Sequence, residues 1–212
     1  MNKSWESATS GFGERGQEPF GDIPTEPEAF LRWGTTLDRH HPYRYELSQG
    51  KVSRMMINTS RAHWLVSANI LGELLRYLDR TQFQAGPADF GVRTGVGVRY
   101  PDVIVDRSSP GLKDLACEAP IFVAEVLSPS TAGIDFTAKQ REYTAIASVQ
   151  TYLICSQDEP RAWVWSRRAD GTWPTLPTEL AAREGTILLS GLGIDLAMAA
   201  IFRGIPDPPT SA

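Results

Sequence analysis

The chain has 212 residues, 42% of them hydrophobic and 22% charged, which is the size and mix of one globular domain with short tails. Its formal net charge of −4 argues against a protein that coats nucleic acid through a basic surface, yet leaves room for an enzyme whose cations line a local cleft. No stretch approaches the roughly 18–20 uninterrupted apolar residues of a membrane-spanning helix.

Residues 1–25 are rich in Gly, Ser, Glu and Pro with few apolar anchors, so they read as a flexible leader that cannot bury enough surface to offset its ordering entropy. Met1–Gly21 has no apolar core of the signal-peptide kind, which points to the cytoplasm. A single domain is expected over 26–203, followed by a flexible tail over 204–212 with prolines at 206, 208 and 209.

Within the domain, Pro27 to Leu37 is a candidate short helix with Phe30, Leu31 and Trp33 on its apolar side. His40 and His41 precede Pro42 in a turn and need no function. Tyr43–Leu47 and Lys51–Ile57 alternate around Gln49-Gly50 and predict an N-terminal β-hairpin. Arg61–Tyr77 is an amphipathic helix on the recurrence of Trp64, Ala68, Leu71, Leu75 and Leu78, with Ser60 or Thr59 as its cap.

Gly86–Asp106 is strand-like and Gly-broken, ending in Val103-Ile104-Val105. Its glycines 91, 95 and 97 form no phosphate loop, because no lysine follows at the required place. Ile121–Leu127 is an apolar run with one acid inside it, the pattern of a strand covered on both faces. Ser128-Pro129-Ser130 ends it, and a helix is expected from Asp135 to Ala147. Thr151–Cys155 and Ala162–Trp165 form a second hairpin, Thr186–Leu189 a short strand, and Ile194–Phe202 a closing helix. The sum is an α/β domain with a mixed central sheet flanked by helices. Cys117 and Cys155 show no metal-ligand spacing and are expected as reduced core thiols, with a disulfide as the lesser alternative. Trp163, Trp165 and Trp173 fit core packing better than base stacking, and Arg161, Arg167 and Arg168 fit turn positions better than phosphate contacts.

The chemistry falls in the middle of the chain. Asp102 follows Pro101 at the mouth of the Val103–Val105 strand, and Glu125 lies within the next apolar strand. A carboxylate in such a run is costly unless a cation or donors satisfy it. Two neighbouring strands each supplying an acid make an oxygen-rich pocket of the kind Mg²⁺ accepts; the alternative is that Glu125 pairs with an arginine and Asp102 caps a turn. Asp135, Lys139 and Tyr143 stand four apart on the following helix, with Glu142 near the same face. An ammonium from Lys139 beside two metal-bound acids would orient water and offset developing negative charge; the plain alternative is a surface Asp–Lys pair. Asp135 fits a helix N-cap accepting from the amide of Thr137 or Ala138, and Tyr143 would either orient Lys139 or belong to the core.

In order, Tyr45-Glu46-Leu47 with Gly50, His63, Pro101-Asp102, Glu125 through Thr131, and then Asp135, Lys139 and Tyr143 resemble the Uma-two family of bacterial proteins, over about residues 30–202. That family is placed in the PD-(D/E)xK nuclease superfamily. The resemblance implies a restriction-endonuclease-like fold and metal ligation by Asp102 and Glu125. The usual motif lysine would stand two residues after the second acid, where this chain has Leu127; Lys139 matches the lysine that family members carry on the next helix. Glu46 matches an acid that would complete or support the metal shell, although a hairpin acid paired to Arg44 or Arg54 would read the same way. His63 would contact substrate or pack.

The resemblance also implies a nuclease that hydrolyses nucleic-acid phosphodiester bonds, DNA before RNA. It would use one or two Mg²⁺ or Mn²⁺ ions on Asp102, Glu125, Glu46 and the Val126 carbonyl. A homodimer would suit cleavage of both strands of a duplex. Two alternatives use the same residues: a non-catalytic binding module for nucleic acid or protein, and a hydrolase of small phosphorylated substrates.

Overall fold

The computed structural model describes residues 22–38, 43–56, 59–108, 111–127 and 135–207. In chain order the elements are α1 (Pro27–Gly34), β1 (Tyr43–Ser48), β2 (Lys51–Met56), α2 (Arg61–Tyr77), β3 (Phe83–Pro87), β4 (Gly91–Thr94), β5 (Gly97–Arg99), β6 (Val103–Arg107), β7 (Ala116–Cys117) and β8 (Pro120–Leu127). A π-helical turn over Asp135–Lys139 then runs into α3 (Gln140–Ala145). It is followed by β9 (Thr151–Ser156), β10 (Ala162–Ser166), β11 (Thr178–Leu180), β12 (Thr186–Leu189), β13 (Ile194–Ala197) and α4 (Met198–Ile201). His40, His41 and the Ser128-Pro129-Ser130 segment lie outside the described residues.

The expected mixed α/β architecture is present, but its strands divide between sheets. Six strands in the order β11-β10-β9-β8-β6-β3 form the larger sheet, and β2-β1-β5-β4-β7 the second; β12 and β13 pair by themselves. The apolar run predicted to be central is β8, which pairs antiparallel to β6 and parallel to β9. Its alternation sends Phe122, Ala124 and Val126 to one face, where they pack with Val66, Ile70 and Leu74 of α2 and with α4. Val123 and Leu127 face the other way, toward Tyr143, Tyr152 and Trp165. Glu125 stands between those two positions and therefore belongs to the second face.

The N-terminal hairpin forms as expected. Both turn residues have positive φ, 50° at Gln49 and 70° at Gly50, as a two-residue turn that follows the strand twist requires. Glutamine is uncommon there, and its amide is satisfied by the Val96 carbonyl at 2.8 Å. The second sheet closes because β5 approaches β1 tightly. A Cβ at Gly97 would sit 1.9 Å from the Leu47 carbonyl oxygen, so only glycine fits.

Two expectations about these elements are corrected. Helix α2 occupies the predicted residues, and Ser60 caps it by accepting the His63 amide at 3.0 Å, but it buries a different face. Val66, Ile70 and Leu74 are fully enclosed, whereas Trp64 is 61% and Leu75 38% exposed. The helix carries two apolar stripes, and the branched aliphatic one fits the sheet; periodicity alone could not choose between them. The predicted closing helix over 194–202 is strand β13 followed by the four-residue α4, because Ile194 and Leu196 alternate inward across β12. Gly86–Asp106 is strand broken at its glycines, as expected: the end of β3 followed by β4, β5 and β6. At the C-terminal end, Ile205 is buried in the main core and its carbonyl accepts from Arg183, so ordered packing reaches into the segment expected to be a tail.

Candidate active site

The site is assembled where β6, β8, β1 and α3 meet. In the β6–β8 pairing Val103 faces Ala124, and one further step along that antiparallel register sets Asp102 against Glu125. The two acids are thus neighbours through sheet register, although they stand at positions 102 and 125 in the sequence. Asp102 Oδ2 accepts the Val126 amide at 2.7 Å, and His63 Nε2 of α2 lies 3.3 Å from the same oxygen. The Asp102 side chain is 18% exposed, against 5% for Glu125, so the site opens to solvent on the Asp102 side.

Glu125 is enclosed and fully engaged at one oxygen. Oε1 accepts from Lys139 Nζ at 3.0 Å and from the Tyr143 hydroxyl at 2.9 Å. Lys139 ends the π-helical turn, a distortion that occurs mostly as single turns and often at functional sites. Burial, with the charges of Glu125 and Glu46 adding to it, raises the Tyr143 phenol well above its ordinary pKa, so Tyr143 is a neutral donor. Asp135 opens the same turn; its side chain lies outside the described residues.

Glu46 of β1 is also buried, and its partner is neither Arg44 nor Arg54 but Arg99. Glu46 Oε2 accepts from Arg99 Nη1 at 2.9 Å, and Oε1 accepts the Tyr100 amide at 3.1 Å with Lys139 Nζ at 3.7 Å. Arg99 in turn donates Nε and Nη2 to the two oxygens of Glu142, at 2.8 and 2.6 Å. Ser48 adds a bond to Glu142 Oε1 at 2.7 Å. Burial alone would lower the Arg99 pKa, but the bonds to Glu142 and the charge of Glu46 outweigh it and raise it. Burial likewise acts to raise Glu142, and Arg99 with Ser48 outweighs it, holding that carboxyl below its ordinary value.

Sequence reasoning singles out Asp102, Glu125, Lys139, Glu46, His63 and Tyr143; the fold places them in two contact groups, Asp102 with His63 and Glu125 with Lys139, Tyr143 and Glu46, joined through the Val126 amide. Sequence reasoning misses Arg99 and gives Glu142 no role. Arg99 ends a three-residue strand in which every position is buried, so no alternation marks it as inward-facing. The remaining candidates are placed elsewhere. Arg167 donates to the carbonyls of Val149, Ile146 and Gly171, and Arg161 pairs with Glu159 and Glu179. Arg168 bonds Thr172 and the Trp173 carbonyl. Trp165 is buried, stacked 5.7 Å from Tyr152, and Trp163 meets Phe136 edge-on at 5.0 Å. Cys117 and Cys155 are buried free thiols.

Whether these residues suit a divalent ion can be judged from charge and donor type. Three enclosed carboxylates, Glu125, Glu46 and Glu142, face two fixed cations, Lys139 and Arg99, and half-enclosed Asp102 faces His63. Among the described side chains, with histidine counted neutral, two negative charges remain, which one divalent cation would neutralise. No group of three or more His, Cys, Asp or Glu side chains with metal-holding geometry occurs among the described residues. The oxygen donors of Asp102 and Glu125 are of the type Mg²⁺ or Mn²⁺ would accept from one or two carboxylates, with water and substrate oxygens completing the shell.

Comparison with known proteins bears on the family and the fold. The family model of Uma2, described as "Putative restriction endonuclease", matches residues 27–199. The uncharacterized protein slr1290 of Synechocystis sp. (strain PCC 6803) is 27% identical over 186 residues, spanning 84% of this chain and 92% of its own. A second uncharacterized protein of that organism, sll1609, is 36% identical over 98 residues, 45% of this chain and 54% of its own. Among solved structures, "a putative nuclease belonging to DUF820" from Anabaena variabilis superposes with a TM-score of 0.63 at 15% identity. The match covers 81% of this chain and 96% of that one, a likeness of fold.

Proposed function

The chain belongs to the Uma2 family, and from that premise we propose that it is a metal-dependent endonuclease that hydrolyses phosphodiester bonds in nucleic acid, DNA in the first instance. The observation that carries the reading is the bond from the Val126 amide, next to Glu125, to the Asp102 carboxylate at 2.7 Å, with Lys139 bonded to Glu125. Asp102 and Glu125, together with the Val126 carbonyl, would hold Mg²⁺ or Mn²⁺. When bound, such an ion polarises the scissile phosphate and lowers the pKa of a coordinated water.

The chain's own groups do the rest. The Val126 amide and His63 fix the Asp102 carboxylate, and Tyr143 and Lys139 fix that of Glu125. Lys139, bonded to Glu125, would offset negative charge that develops on the phosphate during attack. The low exposure of Glu125 and Lys139 keeps those interactions out of bulk water, where they would be weaker. The enzyme would work in the cytoplasm, and as a homodimer when both strands of a duplex are cut.

The test is cleavage of supercoiled plasmid, linear duplex and single-stranded RNA in Mg²⁺ and in Mn²⁺, with the wild type and Asp102→Asn side by side. Ion-dependent nicking that disappears in the variant supports the endonuclease. Retention of nucleic acid without cleavage in either ion would identify a binding module on the same fold. Turnover of nucleotides but not polymers would move the reaction to small phosphorylated substrates.

A further inference from the structure

Among the acids expected to hold the ion, Glu46 has both oxygens bonded to donors other than a metal. The buried charges form a line that alternates in sign: Glu125, Lys139, Glu46, Arg99, Glu142. Each side chain in the line is at most 6% exposed. Arg99 meets Glu142 through the paired Nε and Nη2 donors, and that fork fixes the plane of the guanidinium. Its remaining Nη1 is thereby aimed at Glu46 Oε2. The other oxygen of Glu46 is held by the Tyr100 amide and faces the Lys139 ammonium. Both oxygens therefore already meet donors, and an ion could take Glu46 only by breaking into that arrangement. Asp102, at the open side, faces no such obstacle.

We propose that Glu46 is the second anion of a cage around the Lys139 ammonium rather than a ligand of the ion, and that Arg99, anchored by Glu142, is the positioning residue that holds it there. The inference rests on the metal-site reading only in naming the ion that Glu46 does not touch. Lys139 would be set between two carboxylates: Glu125, which it shares with the ion, and Glu46, which keeps the ammonium from swinging fully onto Glu125. Arg99 acts through Glu46 and has no contact with the reacting atoms. Glu142 acts one step further away, by setting the orientation of Arg99.

The test uses the full chain and two measurements. Lysine side chains labelled with ¹³C and ¹⁵N report the four lysines at positions 3, 51, 113 and 139, with Lys139 assigned by its loss in Lys139→Met. Calorimetry with Mn²⁺ reports the ion site. The cage predicts that Glu46→Gln and Arg99→Lys shift the Lys139 signal while the other three stay in place, and that combining the two substitutions shifts it no further. It predicts Mn²⁺ affinity within about threefold of wild type in both variants. A tenfold or greater loss of Mn²⁺ affinity in folded Glu46→Gln would make Glu46 a ligand and overturn the proposal. So would an unmoved Lys139 signal in either folded variant. If Glu46→Gln does not fold, Glu46→Asp keeps the charge, withdraws it by one methylene and serves the same comparison. If the wild type takes no Mn²⁺, or Asp102→Asn takes it equally well, the metal-site reading has failed and the Lys139 signal alone decides the cage.

Discussion

The Asp102 carboxylate accepts the backbone amide of Val126, the residue next to Glu125, at 2.7 Å. The spacing of the two acids is therefore set by the sheet, through the β6–β8 register, and not by flexible side chains. A site built on strand backbone is more precise than one built on loops, and it leaves the supporting residues to tune charge rather than to define position. The consequences can be tested one residue at a time.

Lys139→Met keeps the length and much of the bulk of the side chain but leaves Glu125 with only part of its compensation. Removing one partner of a buried ion pair costs about 3–5 kcal/mol, and urea unfolding should show a loss at the low end of that range, because the Tyr143 hydroxyl still serves Glu125. Adding Glu125→Gln should restore part of the lost stability. Cleavage should fall about 10²–10³-fold in the single variant, the usual effect of removing one preorganised charge-stabilising group.

Tyr143→Phe removes one donor to Glu125 and leaves the ring packed 5.2 Å from that of Tyr152. A hydrogen bond to a charged group contributes about 1.5–3 kcal/mol, so the variant should fold with a lower urea midpoint and an unchanged m-value. In the wild type, the raised phenol pKa should keep this tyrosine out of a spectrophotometric titration until the fold is lost.

Glu142 gives the fold an acid limit. Its folded pKa is depressed below its ordinary value of 4.5, so its contribution is fully present above that value and is lost as the pH falls through the lower folded one. Glu142→Gln should be less stable than wild type at pH 7, and the gap should narrow below about pH 4.5 as the wild type loses the same interaction. Thermal unfolding from neutral to acid pH, run on both proteins, reads this directly; parallel curves would exclude it.

Helix α2 provides a control away from the chemistry. Ile70→Ala, at a fully enclosed position, should cost about 2–5 kcal/mol. Trp64→Ala, at a side chain 61% exposed, should change stability by no more than about 0.5 kcal/mol. Equal losses would mean that the outer stripe is covered after all.

Much of the site is legible in the sequence because its decisive signals are local. An acid inside an apolar run, an acid after Pro101 and a lysine on the next helix mark Glu125, Asp102 and Lys139 as candidates without knowledge of the fold. Periodicity misreads the burial of α2 because Trp64, Ala68, Leu71 and Leu75 repeat with the same period as Val66, Ile70 and Leu74, and only the opposing sheet chooses between them. Arg99 is invisible for a related reason: a three-residue strand is too short to display alternation, and its partners Glu46 and Glu142 lie 53 and 43 positions away. The charge line that surrounds Lys139 is a product of tertiary pairing between β1, β5 and α3, which no window of sequence contains.

Mn²⁺ titration by calorimetry of the wild type and of Asp102→Asn tests the metal site most directly, because the substitution removes a charge from the most exposed acid without opening the core. Saturable binding is expected in the wild type, weakened at least tenfold in the variant. Equal binding in the two proteins would contradict the site, since the ion would then sit somewhere other than between Asp102 and Glu125.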